Sequence, residues 1–267
     1  MSEVTIVCCY NNEKVYGDFV ETLESQTCPY ELIGINNVGN KNFKSCASAY
    51  NSVIAQVKTK YVIYSHQDIL LNKPDLLEKF MSHMNKINSD DIIGAAGVKL
   101  DFKLVITNLI QFDNNNEFVP PGRTYVNFDE DEDMIECHTL DECFFGGYTE
   151  HFKINPFDEI ICNNWHLYAA EACLRTKSKL GGKCWISSVP IIHLSPGNPN
   201  PSLRWGFFRL CKKYAKFFPF IKTTCLASGT NKRGLLRCLW RYIRTTVNYY
   251  CAKFTDTILK TLFKRKN

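Results

Sequence analysis

An α/β fold, with a mainly parallel sheet flanked by helices and followed by a basic α-helical extension, is predicted by three features of this 267-residue sequence. Short β-branched apolar runs alternate with helix-tolerant stretches, each run ends in polar turn-forming residues, and charge is divided between two parts of the chain. Residues 1–200 hold 16 Lys and Arg against 26 Asp and Glu, whereas residues 201–267 hold 16 against 1. The break falls in Ser195-Pro196-Gly197-Asn198-Pro199-Asn200-Pro201, whose residues cannot continue a helix or a central strand. A domain over 1–200 and an aromatic-rich basic tail over 201–267 are therefore expected. With 45% apolar and 22% charged residues the chain can bury a core, which excludes disordered, collagenous and small stapled classes.

VTIVCC at 4–9 reads as a strand buried on both faces, leading into Tyr10-Asn11-Asn12. A helical pattern from Val15 to Leu23 follows, then a strand from Tyr30 to Ile35 closed by Asn36-Asn37-Val38-Gly39-Asn40. Residues 45–57 are small and helix-tolerant, and Tyr61 to Tyr64 forms a third strand that runs into Ser65-His66-Gln67-Asp68. Pro74 sits in a favoured place at the start of a helix to Met84, and Ile92 to Val98 is a further strand. Residues 113–136 are acidic and irregular, densest at Asp129-Glu130-Asp131-Glu132-Asp133, and read as a solvated loop without calcium-loop spacing. Trp165 to Arg175 is composed of helix formers, so His166 and Ala170 would share one face, and Leu167 and Glu171 another. Gly181-Gly182 ends that helix, and a strand from Cys184 to Ile192 delivers His193-Leu194-Ser195. In open α/β sheets the ligand crevice lies beyond the carboxyl ends of the strands, where these polar clusters fall.

Thirteen cysteines are an odd number, no C-x-x-C occurs, and MSEVTIVCCY lacks the basic start and cleavage site of a signal peptide, so a reduced, cytoplasmic protein is expected. Cys137, His138 and Cys143 lack the tight paired spacing of zinc sites and read as core. Asp68 and His193, each at the end of a strand, can together hold a divalent cation that bridges a diphosphate, because phosphate and water complete the coordination of magnesium or manganese.

Taken in order, VTIVCCYNN, Asn51 ahead of Ser-His-Gln-Asp, Leu-Asp-Glu before Phe157-Asp158-Glu159, Trp-His-Leu-Tyr-x-x-Glu and a closing His-Leu-Ser resemble the family 2-like glycosyltransferases. The branch it resembles is that of streptomycin-biosynthesis-type and surface-polysaccharide enzymes, over about residues 4–197. The resemblance implies a GT-A-type, Rossmann-like domain that binds a nucleotide sugar and an inverting transfer to a glycan or lipid-linked acceptor. The donor would be a UDP-, GDP- or dTDP-sugar, and Mn2+ or Mg2+ would be held by a D-x-D-like element. His66-Gln67-Asp68 resembles that element, with Asp68 keeping the metal-binding carboxylate, and His193 is similar to the late histidine that completes the metal site. Tyr10, Asn11 and Asn12 resemble the loop that meets the base, Asn37 stands where many relatives place an acidic residue, and Asn51, His66 and Gln67 join the donor-binding set.

The general base stays open. Most relatives carry a Glu-Asp pair where this chain has Tyr168-Ala169, and Asp141, Glu142, His166 or Glu171 could take the acceptor proton, with Asp141 and His166 favoured. Glu171 also fits an i, i+4 ion pair with Arg175. Trp165 suits either a sugar platform or the core. The missing pair leaves a rival reading, a non-catalytic nucleotide- or glycan-binding module of the same fold.

Residues 232–250 place Arg233, Arg237, Arg241 and Arg244 on one helical face and Leu236, Leu239, Ile243 and Val247 on another. No stretch of 201–267 reaches the ~20 uninterrupted apolar residues of a membrane span. The tail is expected to lie on an anionic membrane at its cytosolic face, to pack on the domain, or both. A basic membrane or nucleic-acid adaptor is the remaining alternative, although no nucleic-acid-binding signature is present.

Overall fold

Three parallel strands begin the chain: Val4–Tyr10 (β1) lies between Glu31–Asn36 (β2) and Tyr61–Ser65 (β3), with Cys8 in register with both Gly34 and Ser65. Their connections carry Glu13–Glu24 (α1), capped by the Asn12 side chain, and Cys46–Val53 (α2), capped by Ser45. The computed structural model describes residues 2–102, 105–107, 109–112, 118–119, 125–126, 132–194 and 200–264, with the backbone alone at 106–107, 110–112, 118–119, 125–126 and 256–264. The expected acidic run at 129–131 and the break at 195–199 lie outside the described residues.

Beyond β3 come Ile69–Leu70 (β4), Leu76–Met84 (α3), Ile92–Gly94 (β5), Ala96–Lys99 (β6), Val105–Thr107 (β7), Leu109–Phe112 (β8), Phe118–Val119 (β9) and Tyr125–Val126 (β10). Met134–Leu140 (β11), Phe144–Tyr148 (β12), Thr149–Ile154 (α4), Tyr168–Arg175 (α5), Cys184–Ser187 (β13) and Ile191–His193 (β14) follow. A large sheet has the order β10-β7-β6-β11-β13-β5-β12-β3-β1-β2, and a smaller one the order β4-β14-β8-β9. Helices flank this central sheet in a mixed α/β arrangement. β12 runs antiparallel between β3 and β5, and Gly146 makes that insertion possible, since a Cβ there would collide with the Val62 carbonyl.

Three expected elements are cut differently. The strand over 92–98 divides at Ala95, whose N–H bonds to the Phe144 carbonyl (3.0 Å), so that β5 pairs with β12 and β13 while β6 pairs with β7 and β11. The strand over 184–192 divides ahead of Pro190, which has no N–H to extend a ladder, and β14 joins the smaller sheet. The helix expected from Trp165 starts only at Tyr168, because Leu167 takes a left-handed conformation (φ 73°) and breaks the helical path. His166 is therefore on a loop, and it shares no helical face with Ala170.

The core has a layer on each face of the large sheet. On one, Ile6, Cys8 and Ile63 pack with Phe19 and Leu23 of α1 and Leu77, Phe80 and Met84 of α3. The other is aromatic: Tyr64 stands 4.7 Å from Tyr50 and 4.9 Å from Phe157, and Tyr168 lies 5.8 Å from Phe145, ring centre to ring centre. Each fully buried aromatic is worth about 2–3 kcal/mol, and their tilted and edge-on contacts add to that. All thirteen cysteines are free thiols; Cys137, Cys143 and His138 lie in the core, where burial takes the His138 imidazole down to about 3.

The chain divides into two compact units, Met1–Gly197 with Lys222–Leu226, and Asn198–Ile221 with Ala227–Asn267. The five residues 222–226 thus belong with the first unit, where Thr139 Oγ1 donates to the Lys222 carbonyl (2.7 Å) and Lys222 Nζ to the Phe102 carbonyl (2.6 Å). The second unit contains Pro201–Tyr214 (α6), all but the last residue of Phe220–Lys222 (β15), the strand Ala227–Gly229 (β16) that pairs with it, and Lys232–Lys264 (α7). Pro201 in the first turn of α6, with the Asn200 side chain accepting from Leu203 N (3.0 Å), makes a well-capped start.

Candidate functional site

The carboxyl end of β3 is the anchor. His66 N–H bonds to the Cys143 carbonyl (2.9 Å), extending the β3–β12 ladder by one residue before the chain turns through Gln67 and Asp68 into β4. β4 pairs antiparallel with β14, His193 opposite Ile69, and Leu194 N–H bonds to the Asp68 carbonyl (3.0 Å). That register sets two side chains 125 positions apart in sequence against each other: His193 Nε2 lies 3.5 Å from Asp68 Oδ1, and His66 Nδ1 lies 3.8 Å from the same oxygen. One potential ligand atom from each of His66, Asp68 and His193 falls within 4.8 Å of the others, and this is the metal-competent cluster found among the described residues.

Electrostatics set the cluster's charge. Burial opposes ionisation of Asp68, but the His193 hydrogen bond and both imidazoles outweigh it and hold the carboxyl at about 2. Burial lowers His66, only partly offset by Asp68, whereas at His193 the Asp68 bond and charge overcome burial and push the imidazole up. Tyr168, at the start of α5, donates its hydroxyl to the Glu142 carbonyl (3.4 Å) and sits 2.9 Å from His66 Nε2. With Nε2 against the Tyr168 hydroxyl, Nδ1 is the ring nitrogen that faces Asp68, the orientation a ligating histidine needs. His193 Nδ1 is buried without a hydrogen-bond partner among the described residues. Two imidazoles and one carboxylate are a donor set that fits a divalent cation whose remaining positions are filled by phosphate and water.

Gln67 ties the two loops together. Its Oε1 accepts from Asn11 N and Asn12 N (3.0 Å each), and its Nε2 donates to Asn11 Oδ1 (2.7 Å), so the loop after β1 is fixed to the metal loop. Asn12 is also occupied as the cap of α1. Tyr10 is half-buried at the same edge, its ring stacked on Tyr16 at 4.0 Å and 8°.

Asp141 follows β11 and its charge acts on His66, His193 and His166, which places it with the cluster. Its Oδ1 accepts from Cys143 N (3.2 Å) and its Oδ2 from Thr224 Oγ1 (2.6 Å). Glu142 accepts from Leu167 N, which holds the left-handed turn that presents His166; burial and the Asp141 charge push its carboxyl up to about 8. His166 is partly buried, and burial together with His66 lowers its imidazole. Trp165 beside it is half-buried.

Three expected site residues are committed elsewhere. Asn37 is wholly buried; its Oδ1 accepts from Asn42 N and Phe43 N and its Nδ2 donates to the Phe43 carbonyl, so it shapes the loop after β2. Asn51 spends its amide on Phe157 N, the Phe157 carbonyl and Glu159 Oε1, pinning the 157–159 loop to α2. Glu171 is fully buried and faces Arg175 at 3.4 Å, which removes it from any acceptor arriving from solvent. Conversely, Tyr168 and Thr224 belong to the site and were not expected there. Tyr168 occupies the place where relatives carry an acidic residue, and Thr224 lies in a segment whose composition reads only as basic tail.

A comparison with curated protein sequences finds no match. Among solved structures, the chain is similar to GalNAc-T7 with UDP, GalNAc and Mn2+ (TM-score 0.54, 10% identity, covering 79% of this chain and 47% of that one). It is also similar to S. aureus TarS in complex with UDP-GlcNAc (TM-score 0.52, 15% identity, 81% of this chain and 66% of that one). The chain thus spans about half of the first and under two-thirds of the second, and at such identities the likeness is one of fold, the GT-A fold. The sequence profile described as "Glycosyltransferase like family" matches residues 5–191, a span that carries the large sheet with His66 and Asp68 and ends two residues before His193, and the chain therefore belongs to this family of GT-A-type, family 2-like glycosyltransferases.

Proposed function

We propose that this chain transfers a sugar, with inversion, from a nucleoside-diphosphate donor to a glycan or lipid-linked acceptor, using a divalent cation held by His66, Asp68 and His193. The observation that carries the reading is the convergence of those three side chains at the carboxyl edge of the sheet. The UDP found in GalNAc-T7 and TarS structures of this fold supports a uridine nucleotide, and Mn2+ in the former supports manganese. When bound, the cation supplies positive charge for the departing diphosphate.

The rest falls to the chain's own groups. Tyr10, stacked and half-buried beside the metal loop, offers a ring for the base; Gln67 keeps that loop and the metal loop at a constant separation. Asp141 is the group we assign as base, taking the proton of the acceptor hydroxyl at its carboxylate while Thr224 and Cys143 N hold the carboxylate in place. His166, on the loop held by Glu142, lines the same site. Thirteen free thiols support a reducing compartment, and a lipid-linked acceptor would place the reaction at the cytosolic face of a membrane.

Calorimetric titration with UDP, GDP and dTDP, with and without manganese, tests the reading. One nucleotide should bind in a manganese-dependent way, and Asp68→Ala should abolish that dependence while leaving the melting curve cooperative. No heat from any nucleotide would overturn the reading, and binding with no sugar transfer from any donor would reduce the chain to a nucleotide-binding module.

A further inference from the structure

The second unit carries a surface that its own packing leaves uncovered. The inner face of α7 is Gly234, Cys238 and Tyr242. Gly234 passes so close to Gly229 that a Cβ would collide with its carbonyl, Cys238 is buried, and the Tyr242 ring lies 5.1 Å from that of Trp205 on α6. Arg241, read from sequence as one of four arginines on one helical face, donates Nη1 to the Ala227 carbonyl (3.3 Å). On a different face stand Leu236, Trp240, Ile243, Val247, Tyr250 and Phe254, each 51–69% exposed. Their spacing of 4, 3, 4, 3 and 4 residues makes one continuous row, about 27 Å long at 1.5 Å per residue. Six large apolar side chains in a single line are not the scattered exposure of an ordinary surface.

Charge decides what covers the row. Between 232 and 255 the helix has six cations, Lys232, Arg233, Arg237, Arg241, Arg244 and Lys253, and no carboxylate. Arg244 lies over the Trp240 ring at 4.8 Å and Lys253 over Tyr249 at 5.0 Å, so cationic heads stand beside the aromatic surface. A second copy of the helix, paired along this row, would be flanked by Arg237, Arg244 and Lys253 with no acid opposite them, an arrangement that repels. No helix among the described residues is long and apolar enough to cross a membrane. A bilayer surface with anionic head groups satisfies both halves of the pattern, taking the apolar row at the acyl boundary and the cations among the phosphates.

We propose that α7 lies in the plane of an anionic membrane surface, inserting the row from Leu236 to Phe254 and holding the head groups with Arg237, Arg244 and Lys253. This docking does not depend on sugar transfer. It is tested with the full chain and vesicles of phosphatidylcholine with and without phosphatidylserine, by co-sedimentation. Wild type should partition onto the anionic vesicles and release as salt rises. Because both positions are exposed, the double variant Ile243→Ser, Val247→Ser should fold normally by circular dichroism and bind about tenfold more weakly or worse. The double variant Arg237→Gln, Arg244→Gln should lose the preference for anionic vesicles. Equal binding by the serine variant, or no binding by wild type, would overturn the proposal. So would a wild-type dimer in light scattering that the serine variant dissolves without any vesicle binding. Vesicle binding is read with no donor present, so its failure and that of the transfer reading are separable.

Discussion

Thr224→Val removes a single hydroxyl with almost no change of shape, and the structure sets its consequence. The Thr224 Oγ1 bond to Asp141 Oδ2 is 2.6 Å long, in the range of charge-assisted bonds, whereas the bond from Cys143 N to the other oxygen is 3.2 Å. Hydrogen bonds to charged groups are worth about 1.5–3 kcal/mol, so losing this one leaves Asp141 held by the weaker partner and lowers turnover by about 10- to 100-fold. Thr224 is outside the His66, Asp68 and His193 cluster, and the affinity for nucleoside diphosphate with manganese should stay as in wild type. The assay is release of nucleoside diphosphate from the best donor, with acceptor present, alongside calorimetry of the nucleotide. Thr224→Ser, which keeps the hydroxyl, should restore turnover to within a few-fold. Full turnover by the valine variant would refute the assignment of Asp141 as a base positioned from this segment. So would an equal loss of nucleotide affinity and turnover, which would mean that the 222–226 turn is only structural.

Other substitutions probe the frame of the site. The Glu142 carboxyl stands at about 8 in the folded chain, against about 4.3 when free, so its protonation stabilises the fold in full below about pH 4, and this contribution is lost as pH rises through 8. Glu142→Gln mimics the protonated form, and its melting temperature relative to wild type should rise steadily from pH 5 to 8; a constant difference would contradict the raised carboxyl. Glu171→Gln leaves Arg175 buried without its counter-charge and should destabilise by about 3 kcal/mol in urea titration, with turnover per folded molecule unchanged. Gly146→Ala forces β12 away from the Val62 carbonyl, and a loss of about 1–3 kcal/mol in the same titration is expected; an unchanged midpoint would mean that β12 adapts without cost.

Much of the frame is written locally. VTIVCC, YVIYS and their polar endings specify β1, β3 and the loops that follow, because hydrophobic period, β-branching and turn chemistry act over a few residues; the caps Asn12 and Ser45 are likewise visible in the chain. The order of motifs also carries the family, since it places Asp68 and His193 at strand ends. Tertiary structure alone decides what local signals do not encode. That His66 joins Asp68 and His193 depends on the register of β4 against β14, and that Asn37 and Asn51 serve loops depends on backbone groups whose partners no spacing announces. His166 leaves the helix because of Leu167 and its bond to Glu142, 25 residues away in the chain. Thr224 reaches Asp141 across 83 residues, through a return of the chain into the first unit. Propensity is a property of neighbours in sequence, whereas a hydrogen-bond partner is a property of neighbours in space, and the chemistry of this site rests on the second.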